Sequence, residues 1–117
     1  MKLTLKSAEG DFVQVSLSGQ VSQRILLPAE DSLARLLGLD CYRRRLLLDL
    51  SDVQVIDSSG VGWLLGCQKR FRAQGGQMVV HSFSPLVREI LETLKMHLVL
   101  LMADDEQQAR DLATKAK

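Results

Sequence analysis

A chain of 117 residues, 46% hydrophobic and 25% charged, is long enough for one domain with its own core and too short for two. Its formal charge of +1 gives no bulk attraction to nucleic acid or to an anionic membrane, so no direct nucleic-acid partner is expected. No run reaches the roughly 18–20 apolar residues of a membrane span. The opening MKLTLKSAEGD lacks the apolar segment of a secretory signal, and Cys41 and Cys67 are too few and too widely spaced for a disulfide scaffold or a CxxC site. A single domain over residues 1–117 in a reducing cytoplasm is the expectation.

Leu3 and Leu5 alternate with Lys2, Thr4 and Lys6, and Val13, Val15 and Leu17 alternate with Gln14, Ser16 and Ser18. That period of two predicts a hairpin, with Ala8-Glu9-Gly10-Asp11 as its turn and Gly19 as the end of its second strand. Ser22–Pro28 has no clear period and fits a short strand or a loop. Ala29–Leu39 reads as a helix with Leu33, Leu36 and Leu37 on one face, Glu30 and Asp31 in the first turn, and Gly38 ending it. Arg43-Arg44-Arg45 then runs straight into a strand, which fits a solvated strand start better than a phosphate-binding patch.

Leu46, Leu47, Leu48 and Leu50 make a near-continuous apolar segment, as in a strand buried on both faces. A polar turn follows, containing Asp52. A helix from about Ser59 to Ala73 comes next, with Val61, Leu64, Leu65 and Phe71 on its inner side and Gly75-Gly76 beyond its end. Met78-Val79-Val80 begins another strand. Ser84-Pro85 is a cap-and-first-turn pair opening a helix whose inner face is Val87, Ile90, Leu91 and Leu94. Leu98–Leu101 reads as a short last strand, and Asp104 with Gln107 three residues on as the capping box of a final helix carrying Ala109, Leu112 and Ala113. Strand and helix alternate from the central strand onward, which implies parallel strands, while the hairpin adds an antiparallel pair. The fold class is therefore α/β with a mixed sheet of about five strands.

Asp57-Ser58-Ser59-Gly60 lies at the carboxyl end of the central strand, where ligands and partners of open α/β sheets bind. Aspartate and serine are also the preferred helix caps, so a purely structural role competes evenly with a functional one. Two features favour function. A serine at a helix start is well placed to carry phosphate, because free N–H groups and the helix dipole stabilise the added charge. In addition, Ser59, Gly62, Trp63, Gly66 and Arg70 share one outward sector at about 100° per residue. Glycine inside a helix costs about 1 kcal/mol against alanine. Gly62 and Gly66 thus favour a flat surface for a partner over merely tolerated surface glycines, and Trp63 is read as an exposed anchor beside them in preference to a tryptophan folded over the helix edge onto local apolar surface.

Enzyme readings fare worse. The residue two before Ser58 is Ile56, so there is no nucleophile elbow. Gly60, Gly62 and Gly66 miss the dinucleotide fingerprint, and no phosphate-loop lysine follows. His81 and His97 have no ligand-type residues at metal spacing. Asp49, Asp52 and Asp57 could form a carboxylate pair or magnesium site only weakly. No catalytic residue, metal or cofactor is expected.

With these residues in hand, LLLDLSDVQVIDSSGVGWLL, followed by GGQMVV and SPLVREILETL, resembles the STAS domains of anti-sigma factor antagonists over about the last two-thirds of the chain. The resemblance implies a mixed sheet with helices mainly on one side. It also implies that Ser58 is phosphorylated by an anti-sigma factor serine kinase, with Asp57 an adjacent contact and Ser59-Gly60 part of the docking surface. The unphosphorylated form would sequester that kinase and the phosphorylated form release it. One departure stands out: where the family often has an aspartate in a G-x-[LV]-D pattern, this chain reads Gly19-Gln20-Val21-Ser22. The alternatives are a STAS interaction module of another complex, such as a signalling assembly or a lipid-transport accessory, with Ser58 only a cap, or a small hydrolase lacking its general base.

Overall fold

The structure, a computed structural model, describes residues 2–9, 11–21 and 36–115. Five strands form one sheet in sequence order: β1 (Lys2–Glu9), β2 (Phe12–Val21), β3 (Arg45–Ile56), β4 (Gln77–His81) and β5 (Leu101–Ala103). β1 runs antiparallel to β2, while β2, β3, β4 and β5 are parallel neighbours. Helices α1 (Ser58–Gln74), α2 (Pro85–Thr93) and α3 (Glu106–Lys115) follow the last three strands. The alternation in the sequence thus has the outcome it implies: the parallel steps from β3 to β4 and from β4 to β5 are each bridged by a helix.

The period-two pattern sorts the strand side chains into two layers. Val13, Val15, Leu17, Leu46, Leu48, Leu50, Met78 and Val80 face α1 and α2, and Leu64, Cys67, Phe71, Val87 and Leu91 close over them. On the other face Leu47, Val79 and Ala103 pack against Ala109 and Ala113 of α3. Among the described residues, α1 and α2 therefore cover one face and α3 the other. The small alanines set α3 close to the sheet, and Leu46–Leu50 is buried throughout because β3 lies between two neighbours and two helix layers.

Several boundaries differ from the sequence reading. Ala8 and Glu9 belong to β1, with Glu9 paired to Phe12, rather than to a turn. Gly19 does not end β2: pairing with β3 continues to Val21 through register shifts at Ser16/Ser18 and Gly19/Gln20. β3 also runs on to Ile56, so Asp52 lies in a strand opposite Ser18 rather than in a turn. Only Arg45–Asp49 pair with β4, and the remainder of β3 is paired with β2 alone, where Ser51, Asp52, Gln54 and Val55 are exposed and only Val53 and Ile56 are buried.

The last strand begins at Leu101, while Met96–Leu98 forms a 3-10 turn and Leu98 is 71% exposed. Leu94 is likewise exposed rather than part of the inner face of α2. Asp105, not Asp104, accepts the capping bond of α3, from the Gln108 N–H at 2.8 Å. Ser22–Pro28 and most of Ala29–Leu39 lie outside the described residues. Leu36 and Leu37 are helical, and Gly38 ends that turn at φ 97°, as its position predicts.

The Gly75-Gly76 pair does two separate jobs. Gly75 takes the left-handed conformation (φ 88°) that closes α1. Gly76 has ordinary φ, but a Cβ there would stand 2.3 Å from the carbonyl oxygen of Tyr42 and 2.4 Å from that of Arg44. These carbonyls belong to the 3-10 turn Leu39–Arg43 and the residue after it, and Arg44 also accepts a bond from the Gln77 N–H. Backbone cannot step aside as a side-chain tip can. Gly76→Ala is therefore expected to lower stability by about 2 kcal/mol, in the range of core overpacking, and Gly75→Ala by less. Urea unfolding of the two variants checks the order.

A candidate partner-docking face on α1

The site begins at the carboxyl end of β3. Ile56 is buried, the chain leaves the sheet, and Asp57 takes extended backbone (φ −104°, ψ 180°), with its carboxylate accepting the Gly60 N–H at 2.8 Å. The Val61 N–H bonds the Asp57 carbonyl at 3.0 Å, so Asp57 is the N-cap and Ser58 the first residue of α1, one earlier than the sequence suggests. The cap satisfies one of the N–H groups that every helix start leaves unpaired. Ser58 and Ser59 thus fall within the first turn, where the helix dipole favours negative charge.

From there α1 presents two different sides. Val61, Leu64, Cys67 and Phe71 are buried, Phe71 meeting Tyr42 edge-on at 4.9 Å between ring centres. Gly60 is buried as well, and its N–H is engaged by Asp57, which takes it off the surface. Gly62, Lys69, Arg70 and Ala73 are exposed and Gly66 half-buried, at the spacing of a single helix face. A Cβ added at Gly66 would meet nothing within 4 Å. Nothing inside the described protein therefore requires glycine there, and the backbone of α1 lies open along this stripe.

Trp63 is the correction. It is 8% exposed and belongs to the main core cluster rather than to the outward sector. The angular count placed its Cα well, one residue and about 100° from Leu64. It failed because a tryptophan side chain is long enough to fold over the helix edge and reach the apolar layer. The candidate face retains its glycines and loses its aromatic anchor.

The three aspartates do not converge. Asp57 caps α1. Asp49 projects from β3 toward the α3 side, 2.9 Å from the Lys6 ammonium and 2.8 Å from the Ser51 N–H, and Asp52 is exposed further along the strand. Burial pushes the Asp49 carboxyl up, but the Ser51 and Lys6 bonds together outweigh it and hold the group below the usual carboxylate range. Lys6 is raised in turn, chiefly by its bond to Asp49. Among the described residues no group of three His, Cys, Asp or Glu side chains could hold a metal ion. Cys41 and Cys67 are both buried.

His81, which closes β4 next to Asp49 in register, is 2% exposed, with Nδ1 2.7 Å from Ser82 Oγ. Burial pushes its pKa below the ordinary histidine value, and the Asp49, Glu106 and Asp105 charges oppose this less than fully, while Lys6 adds to it. A depressed histidine stabilises the fold above the unfolded value of about 6.5 and loses that contribution as pH falls through it. Asp49 adds a second loss below about pH 4. The thermal midpoint should therefore decline from about pH 6.5 downward, and His81→Gln should flatten that upper limb while leaving the lower one.

With the geometry established, comparison with known proteins decides the family. Residues 4–109 match the STAS domain. The chain belongs to the STAS family. The anti-sigma F factor antagonist of Paenibacillus polymyxa is 33% identical over 64 residues, covering 55% of this chain and 55% of that protein, so this STAS chain matches about half of that relative's length. BtrV of Bordetella bronchiseptica, also named as an anti-sigma factor antagonist, is 33% identical over 92 residues, 79% of this chain and 77% of that protein. The fold resembles that of the Bacillus cell fate determinant SpoIIAA. Its unphosphorylated form superposes with a TM-score of 0.64 at 21% identity, covering 97% of this chain and 99% of that one. Its phosphorylated form gives 0.61 at 22% identity, covering 94% and 97%. The mixed five-stranded sheet and the three helices among the described residues are those of a STAS domain. No helix among the described residues is long and apolar enough to cross a membrane.

Proposed function

We propose that this STAS domain is an anti-sigma factor antagonist, a non-enzymatic cytoplasmic protein that sequesters an anti-sigma factor serine kinase while Ser58 is unphosphorylated. Phosphorylation moves the γ-phosphoryl group of ATP to the Ser58 hydroxyl, within the kinase, and the complex then separates. The reading is carried by one observation: an exposed, glycine-floored stripe of α1 begins immediately behind the Asp57-capped serine turn. Partner backbone can lie against Gly62 and Gly66, so a group added at Ser58 stands at the head of the contact. A phosphate brings about −1.5 to −2 charge next in sequence to Asp57, and such charge is costly to enclose in a packed interface. The names of the relatives and the existence of SpoIIAA in both phosphorylation states support the same reading.

The test is displacement. Added to a preformed complex of the cognate anti-sigma factor and its sigma factor, the unphosphorylated protein should release sigma stoichiometrically, as seen by gel filtration and by restored promoter-specific transcription. Sigma remaining bound in the presence of excess protein would overturn the assignment.

A further inference from the structure

The second half of β3 has a strand neighbour on one side only. β4 accompanies Arg45–Asp49 and stops at His81, while β2 continues beside β3 to Ile56. The stop has a local cause. Ser82 takes the left-handed region (φ 63°), uncommon for a residue other than glycine, and Ser84-Pro85 then opens α2. The chain thus leaves the sheet, and among the described residues the track in line with β4 is open beside Asp52–Ile56.

The Ser51 N–H is taken by the Asp49 carboxylate at 2.8 Å, so the open edge begins at Asp52. From there to Ile56 it spans about 15 Å, room for four or five residues of an added strand. A cleft of about 680 Å³ borders this edge, with Ser51, Asp52, Val53 and Gln54 on one wall and Ser84, Pro85 and Leu86 on the other. Leu86 is 51% exposed, an apolar side chain at the rim of a polar cleft.

An open strand edge selects its occupant by backbone chemistry, because its N–H and C=O groups recur at the spacing of another extended chain. Asp52 is exposed and is the one charged residue of the described lining, which calls for a cation in that chain. A second copy pairing edge to edge would offer Ser51, Asp52, Gln54 and Val55 again, two carboxylates and no cation. We propose that this edge takes up an extended segment of another protein as an added strand, with a lysine or arginine beside Asp52 and a branched aliphatic side chain against Leu86. No residue of the serine turn or of the α1 stripe lines the cleft, so the proposal does not rest on the function assigned above.

The probe is a blocked pentapeptide, acetyl-Thr-Val-Lys-Val-Thr-amide. Titrated into the nitrogen-15-labelled protein, it should give saturable amide shifts at Asp52–Ile56 and at Leu86. The same peptide with glutamate for lysine should bind about tenfold more weakly at low salt, and Asp52→Lys should reverse that preference. Two N-methylated peptides test the backbone pairing without any variant, one modified at both valines and one at the alternate three residues. Only one set of N–H groups faces the edge, so binding should be lost with one peptide and kept with the other. Equal binding of the two, a response that fails to saturate, or shifts located elsewhere would overturn the proposal. So would a dimer, seen by sedimentation, whose formation slows amide exchange at Asp52–Ile56, because the occupant would then be a second copy.

Discussion

Trp63→Ala is expected to remove about 3–5 kcal/mol of folding stability, the range for truncating a large core aromatic, while the folded fraction retains its affinity for the partner. The side chain is 8% exposed and packs within the same cluster as Leu64, Cys67 and Phe71, so its loss opens a void under α1 rather than a gap in an interface. A domain of this size has a total stability of only about 5–15 kcal/mol, so the variant should be visibly marginal at physiological temperature. Urea unfolding gives the stability change, and titration calorimetry below the unfolding transition gives the affinity per folded molecule. A stable Trp63→Ala that no longer binds would return Trp63 to the docking face.

Ser58→Glu should reverse that pattern. A carboxylate fixed at the first position of α1 meets the positive end of the helix dipole, so stability should hold or rise slightly. Partner affinity should fall by about a hundredfold or more, because an unpaired charge has been enclosed in a contact built against glycine. Ser58→Ala should bind like the parent protein and become a constitutive antagonist, since it cannot be released. If Ser58→Glu bound normally while both substitutions shifted only the unfolding midpoint, Ser58 would be a helix-start residue and nothing more.

The elements legible in the sequence are those whose pattern comes from their own neighbours. The hairpin alternation, the leucine run of β3, the Ser84-Pro85 start of α2 and the glycine stop after α1 each state their cause locally, and the structure places them accordingly. The differences lie where tertiary contact decides. β2 passes Gly19 because β3 continues beside it, and β3 outlasts its apolar run because β2 does. Leu98-Val99-Leu100 reads as a strand by composition, yet only Leu101–Ala103 finds a partner on β4.

The site divides in the same way. Asp57 as cap and the open face at Gly62 and Gly66 follow from residue type and helical angle. Trp63 does not, because an angle locates the Cα and not the end of a long side chain. Gly76 reads in the sequence as part of a helix stop, whereas the steric cause of a glycine there is the carbonyls of Tyr42 and Arg44, remote in sequence. The burial of Gln68 on α1 leaves no mark in the sequence at all, since a glutamine on a helix ordinarily reads as surface.

The central claim is that Ser58 is the phosphoacceptor of a serine switch, and phosphosite mapping tests it most directly. The protein is incubated with its cognate anti-sigma factor kinase and ATP, then analysed by intact mass and fragment mass spectrometry. A single added phosphate on Ser58, absent from Ser58→Ala and retained in Ser59→Ala, is the result the account predicts. Phosphate that persists in Ser58→Ala and disappears in Ser59→Ala, or a protein that holds the kinase yet is never modified, would contradict it.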